Sequence, residues 1–295
     1  MSLIITGASG NLGRRTAELL FDRVDPSSVV LVTRTPQALS DFAARGASVR
    51  FGDFDDAASL AAAFAGGADR LLLISTDVIG TREVGHGRAI DAAAAAGVRH
   101  IAYTGIPNPV ASANPAIVVR EHLATEEALR ASGVAWTFLR NALYAEFEIP
   151  AARAAAASGQ FVTNRGTGAS AFVSREDCAA VAAAWLAGIE GSAGVAYDIT
   201  GPAAVSPADE AAVFAEVAGR PVEVVSVDDE PWAAGLSAAA GMPVDVARGY
   251  ATFGAAIRSG ALSGVSTTVQ DLTGRPPRAL AEVLGAARTE ILAPA

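Results

Sequence analysis

Short, unbroken apolar runs alternate with amphipathic stretches through the first half of the chain, the pattern of strands that each feed a helix. Leu3-Ile4-Ile5 is the first such run, and an amphipathic helix over residues 11–23 follows it. Val29 to Thr33 predicts a second buried strand, bounded by Ser27-Ser28 and Arg34, with a helix after Pro36. A third strand over 47–51 leaves through Gly52-Asp53, and an alanine-rich helix over 56–64 has Asp55 and Asp56 suited to its start. Residues 70–74 are continuously apolar after Arg70, as a central parallel strand requires. A helix over 82–96 ends at Gly97, a fifth strand spans 99–104, and a helix over 117–131 closes at Ser132-Gly133 before a sixth strand over 135–139. This unbroken order predicts an α/β protein with a doubly wound parallel sheet, right-handed crossovers and strand order 3-2-1-4-5-6.

Beyond Arg140 the rhythm loosens. Helices are expected over 150–158, 175–188 and 206–218, with strands over 195–199 and 222–226 and mostly helical segments afterwards. The division expected is a sheet domain over 1–140 and a smaller, mostly helical C-terminal lobe over 141–295, with residues near 195–200 returning to the sheet.

Composition narrows the function. The chain has 295 residues, 51% of them apolar, enough for one large core with a smaller lobe. No apolar run reaches membrane length and the first residues enter a strand directly, so a cytoplasmic protein with no membrane partner is expected. A net charge of −9 without a basic tract argues against nucleic acid. The single cysteine, Cys178, reads as helix packing, and three scattered histidines offer no metal spacing. Every basic side chain is arginine. The missing lysine excludes a Walker A site, Schiff-base chemistry and a Tyr-x-x-x-Lys proton-donor pair.

The candidate chemistry begins between the first strand and helix, in Gly7-Ala8-Ser9-Gly10-Asn11-Leu12-Gly13. Gly7 suits the tight turn, Gly10 lets a pyrophosphate approach the backbone, and Gly13 lets the helix close on the sheet. The helix N-terminus then faces an anion, and the sheet reads as a dinucleotide-binding Rossmann sheet. Arg34 ends strand two, where an acid would favour NAD. Its planar fork suits a 2′-phosphate, so NADPH is the expected cofactor, against a plain solvated arginine. Arg14 is a second candidate for that phosphate. Asp53 fits either the adenine amino group or the N-cap of the next helix. Ser75, Thr76 and Tyr103 leave strands four and five beside the loop and are expected to line the cofactor cleft.

These residues, with Ala102-Tyr103-Thr104 and Thr137-Phe138-Leu139-Arg140-Asn141, resemble the NmrA-like atypical short-chain dehydrogenases, most of all the bacterial NADPH:quinone oxidoreductases and triphenylmethane reductases. The resemblance implies NADPH at Gly7 to Gly13 and Arg34, with Asp53, Ser75, Thr76 and Asn141 completing the site, and catalysis without a Tyr-Lys dyad. The chain departs from many relatives before strand six, where Arg120, Glu121 and His122 stand in place of a lysine. The proline-rich Ile106-Pro107-Asn108-Pro109 also departs from the pattern, and could reshape the substrate mouth.

Direct hydride transfer to a small-molecule electron acceptor is the simplest chemistry, and a quinone suits it because no strong acid is needed. A carbonyl, imine or dye belongs to the same class. Asn141, Tyr144 and His122 are the candidate catalytic residues. Tyr144 as core packing and His122 as a surface residue are the competing assignments. Phe147, Phe172 and Trp232 are candidates for an apolar wall. A homodimer is a candidate assembly. The alternative function is an NADP-binding redox sensor that acts through a protein partner without turnover.

Overall fold

The computed structural model describes residues 1–76 and 78–293. Seven strands form one parallel sheet: β1 (Leu3–Ile5), β2 (Val29–Thr33), β3 (Ser48–Phe51), β4 (Arg70–Leu73), β5 (His100–Gly105), β6 (Ala135–Asn141) and, after a strand β7 (Gln160–Thr163) that lies elsewhere, β8 (Val195–Ile199). Their order is β3-β2-β1-β4-β5-β6-β8, the expected order extended by the returning segment near 195–200. Ile5 sits between Leu31 and Leu72, and the β1/β4 junction is where the winding reverses.

The helices of this half are α1 (Asn11–Leu20), α2 (Ser40–Ala44), α3 (Ala57–Ala63), α4 (Arg82–Ala95) and α5 (Val119–Ala131), followed by α6 (Ile149–Ser158) and α7 (Arg175–Gly188). Alternation along the strands divides the apolar side chains between two faces. Leu3, Ile5, Leu31 and Leu72 pack against Leu12, Ala17 and Leu20 of α1 and Val181 and Trp185 of α7. Ile4, Val30, Leu71, Ile101 and Phe138 pack against Leu60, Ile90 and Leu129 from α3, α4 and α5. So α7, from the second half of the chain, also covers the sheet. Arg15 of α1 holds it there through Nε to Glu176 Oε2 at 2.6 Å and Nη2 to Oε1 at 2.9 Å. Cys178 is buried within that packing.

Past Pro36 the chain makes a tight 3-10 turn over Pro36–Leu39 and then only the short α2. The remaining elements are α8 (Pro207–Ala218), β9 (Glu223–Ser226), α9 (Asp229–Ala240), α10 (Val244–Arg258), α11 (Thr268–Thr273), α12 (Leu280–Ala286) and α13 (Arg288–Ile291). A separate core gathers Phe161, Phe172, Phe214, Ile257 and Leu284. The strand read over 222–226 pairs in parallel with β7, which the sequence pattern leaves unassigned: Val162 is exposed and only Phe161 supplies a large buried side chain. Inside this lobe Arg165 lies between two buried carboxylates, Glu148 at 2.8 Å and Glu210. No described helix is long and apolar enough to cross a membrane.

Candidate active site

The glycine loop is shaped by its own backbone. Gly7 takes a φ of +60°, which favours glycine. A Cβ on Gly13 would strike Gly7 O and lie 2.8 Å from Ala8 Cα, so only glycine lets α1 start this close to the turn. Gly10 is the N-cap and supplies no side-chain acceptor, leaving first-turn N–H groups of α1 for an outside anion. Ser9 ties the loop to the end of β2, its Oγ 2.7 Å from Thr33 Oγ1.

A cleft of about 600 Å³ opens above this loop, along the carboxyl ends of the strands. Gly7, Ser9, Gly10, Asn11, Leu12, Gly13, Arg34, Asp53, Ser75, Thr76 and Asn141 all line it, as do Tyr144 and His122. Arg34 is exposed there and, among the described residues, forms no ion pair. The N-cap alternative for Asp53 is overturned, because Asp56 caps α3 by accepting from Ala58 and Ser59 N–H. Asp53 instead accepts from Asp55 N–H at 3.1 Å.

Three sequence expectations are corrected. Arg14 is turned away toward Asp41 and the Phe42 ring and does not line the cleft. Tyr103 is fully buried with Ile101 on the α3–α5 face of the sheet, and it too is absent from the lining. Phe147 alone of the three candidate wall residues borders the cleft; Phe172 belongs to the lobe core and Trp232 packs near Ala233. Ile106 of the proline-rich loop reaches the lining, while Asn108 takes a φ of +49°.

At the far end, β6 delivers Asn141, whose Nδ2 donates to the Tyr144 hydroxyl at 3.1 Å. Asn141 Oδ1 is buried and has no partner among the described residues. Burial pushes the Tyr144 phenol well above its ordinary range, with the neighbouring Cys178 adding to the effect, so it stays protonated. The Arg175 guanidinium lies 5.2 Å from the Tyr144 ring centre and 5.1 Å from that of Phe147.

From Arg82 at the cleft wall a hydrogen-bonded chain runs inward. Arg82 Nη1 lies 3.2 Å from His122 Nε2, and His122 Nδ1 lies 2.8 Å from the Tyr103 hydroxyl. Burial first, then the charge of Arg82, lowers His122 to about 3. A neutral imidazole that accepts from Arg82 at Nε2 donates from Nδ1 to Tyr103. His86, lowered to about 4 for the same reasons, accepts from Thr76 N–H and contacts Thr125 Oγ1 at 2.9 Å. Glu121 Oε1 accepts from Gly80 N–H at 2.7 Å and Arg82 N–H at 3.2 Å, fixing the start of α4. Sequence reasoning missed Arg82 and Arg175 as cleft residues. Neither carries a local motif, and both reach the cleft only through tertiary packing.

A family model described as NAD(P)H-binding matches residues 7–188. The chain belongs to this NAD(P)H-binding family. Quinone oxidoreductase 2 of Escherichia coli strain K12 is 36% identical over 280 residues, covering 95% of this chain and 96% of that protein. The crystal structure of the NADPH-dependent quinone oxidoreductase of Escherichia coli complexed with NADPH is similar with a TM-score of 0.91 and 34% identity, over 96% of this chain and 99% of that one. The Citrobacter sp. triphenylmethane reductase complexed with NADP(H) is similar with a TM-score of 0.90 and 34% identity, over 97% and 100%. These are the enzyme types that the glycine loop and the end of β6 resemble. The uncapped α1, the glycine cradle that a Cβ would fill and the unpartnered Asn141 Oδ1 fit the cofactor of this family.

Proposed function

We propose that the protein is an NADPH-dependent oxidoreductase that transfers a hydride to a quinone-like or related electrophilic small molecule. The observation that carries this is a single cleft. It joins an uncapped helix N-terminus and Arg34 at one end to the Asn141–Tyr144 pair at the other. The α1 amides, Arg34, Ser75, Thr76 and Asn141 would hold NADPH, which supplies a hydride from its nicotinamide ring when bound.

Tyr144 uses its hydroxyl oxygen to accept from Asn141, so its O–H proton is free to turn to an acceptor's carbonyl oxygen. His122 and Tyr144 are both neutral near pH 7, which suits an acceptor whose reduced anion is stabilised by its own ring. Holding the acceptor flat against Phe147 and Tyr144 is then most of the catalysis. The division into a cofactor domain over 1–140 and a substrate lobe over 141–295, with residues near 195–200 returning to the sheet, membership among the short-chain dehydrogenases, a cytoplasmic site of action and a homodimeric assembly belong to the same proposal. The lone buried cysteine is consistent with a reducing compartment.

Turnover tests it. NADPH consumption is expected with quinones in the panel, and NADPH is expected to outperform NADH. Tight NADPH binding with no consumption across quinones, dyes and aldehydes would instead assign a sensor.

A further inference from the structure

The chain carries a net charge of −9, yet the cleft lining includes arginines away from its acidic end. The carboxylates in the lining are Asp53 and Asp55, which follow β3. The sheet order puts β3 five strand spacings from β6, on the order of 24 Å away. Arg82 and Arg175 line the cleft as well. Arg82 is committed to His122.

Arg175 is different. Among the described residues its guanidinium has no hydrogen-bond or ion-pair partner, although it lies beside two aromatic rings at the cleft wall. The nearby Glu146 carboxylate is used on the backbone N–H of Arg175, at 3.0 and 3.2 Å. Cation–π contact with Tyr144 and Phe147 holds the guanidinium beside both rings and leaves its N–H groups unspent on the protein. Ser174 caps α7 and so fixes the backbone from which the side chain projects. A fork of this kind matches the two oxygens of a carboxylate, sulfonate or phosphate.

We propose that Arg175 makes the site selective for flat acceptors that carry an anionic substituent, which pairs with the guanidinium edge while the ring lies on Tyr144 and Phe147. This rests on the acceptor-reduction reading above. The same edge could meet a phosphate of the cofactor, so the test separates the two anions.

Steady-state turnover with NADPH compares naphthoquinone with its sulfonate in the wild type, Arg175→Lys and Arg175→Met. The expected result is that kcat/KM for the sulfonate, taken relative to uncharged naphthoquinone, falls about tenfold or more in Arg175→Met and less in Arg175→Lys. Calorimetric titration of the NADP+-saturated protein with naphthalene sulfonate should show the same order without turnover. If no quinone is reduced, the acceptor-reduction reading fails and the calorimetric arm still judges Arg175. An unchanged sulfonate preference and affinity in Arg175→Met overturn the proposal, and a raised KM for NADPH beside that unchanged preference assigns the guanidinium to the cofactor.

Discussion

Asn141 donates to the hydroxyl of Tyr144 at 3.1 Å while its own Oδ1 stays buried and unpartnered among the described residues. The amide therefore fixes the phenol and keeps an acceptor in reserve. Tyr144→Phe removes the O–H while keeping the ring under Arg175. It should lower kcat for a quinone about tenfold, and lower it further for an aldehyde, whose alkoxide needs the proton more. Equal kcat values for wild type and variant on both acceptors would remove Tyr144 from the chemistry.

The pH profile follows from the same environment. Burial raises Tyr144 and lowers His122 to about 3. The phenol thus stays protonated and the imidazole neutral between about pH 5 and pH 9, and kcat should be flat across that window. A limb near neutral pH that vanishes in His122→Gln would show a histidinium taking part.

Arg34 should set the choice of cofactor. It is exposed at the cleft and free of ion pairs among the described residues. NADPH should bind at least about tenfold more tightly than NADH, roughly 1.4 kcal/mol, and Arg34→Ala should bring the two together. Fluorescence titration of both cofactors reads this directly. Equal affinities in the wild type would sink the assignment.

Much of this was legible in the chain because each central strand is buried on both faces and so appears as an unbroken apolar run. The glycine loop was legible for a related reason: Gly13 leaves no room for a side chain. Tyr103 was misplaced because strand periodicity alternates faces, and Tyr103 shares its face with Ile101 under α4 and α5 rather than with the cleft. Arg14 could not be excluded from the cofactor without knowing that Asp41 would claim it. Arg175 and Arg82 carry no signal in their own neighbourhoods. β7 escaped because it lies at a two-stranded sheet with one large buried side chain.

The lobe should carry a pH-dependent stability of its own. Burial, with Glu148 beside it and against the pull of Arg165, raises Glu210 to about 8 from 4.5. Glu148 Oε2 and Glu210 Oε1 have no other partner among the described residues, and a proton between them completes the cluster. The folded protein holds that proton where the unfolded chain has released it, so the stabilisation is full below about pH 4.5 and fades as pH rises through about 8. Melting temperature should fall over that window, and Glu210→Gln should flatten the slope. An unchanged slope in a folded variant would refute the shared proton.

The central claim is direct hydride transfer within this cleft, and a single-turnover experiment tests it most closely. Enzyme loaded with NADPH deuterated on one or the other face of the nicotinamide ring is mixed with excess quinone, and loss of reduced cofactor is followed. The expected result is rapid, quinone-dependent oxidation that slows with deuterium on one face and not the other. Cofactor that stays reduced, or oxidises at the same rate whichever face is labelled, would contradict it.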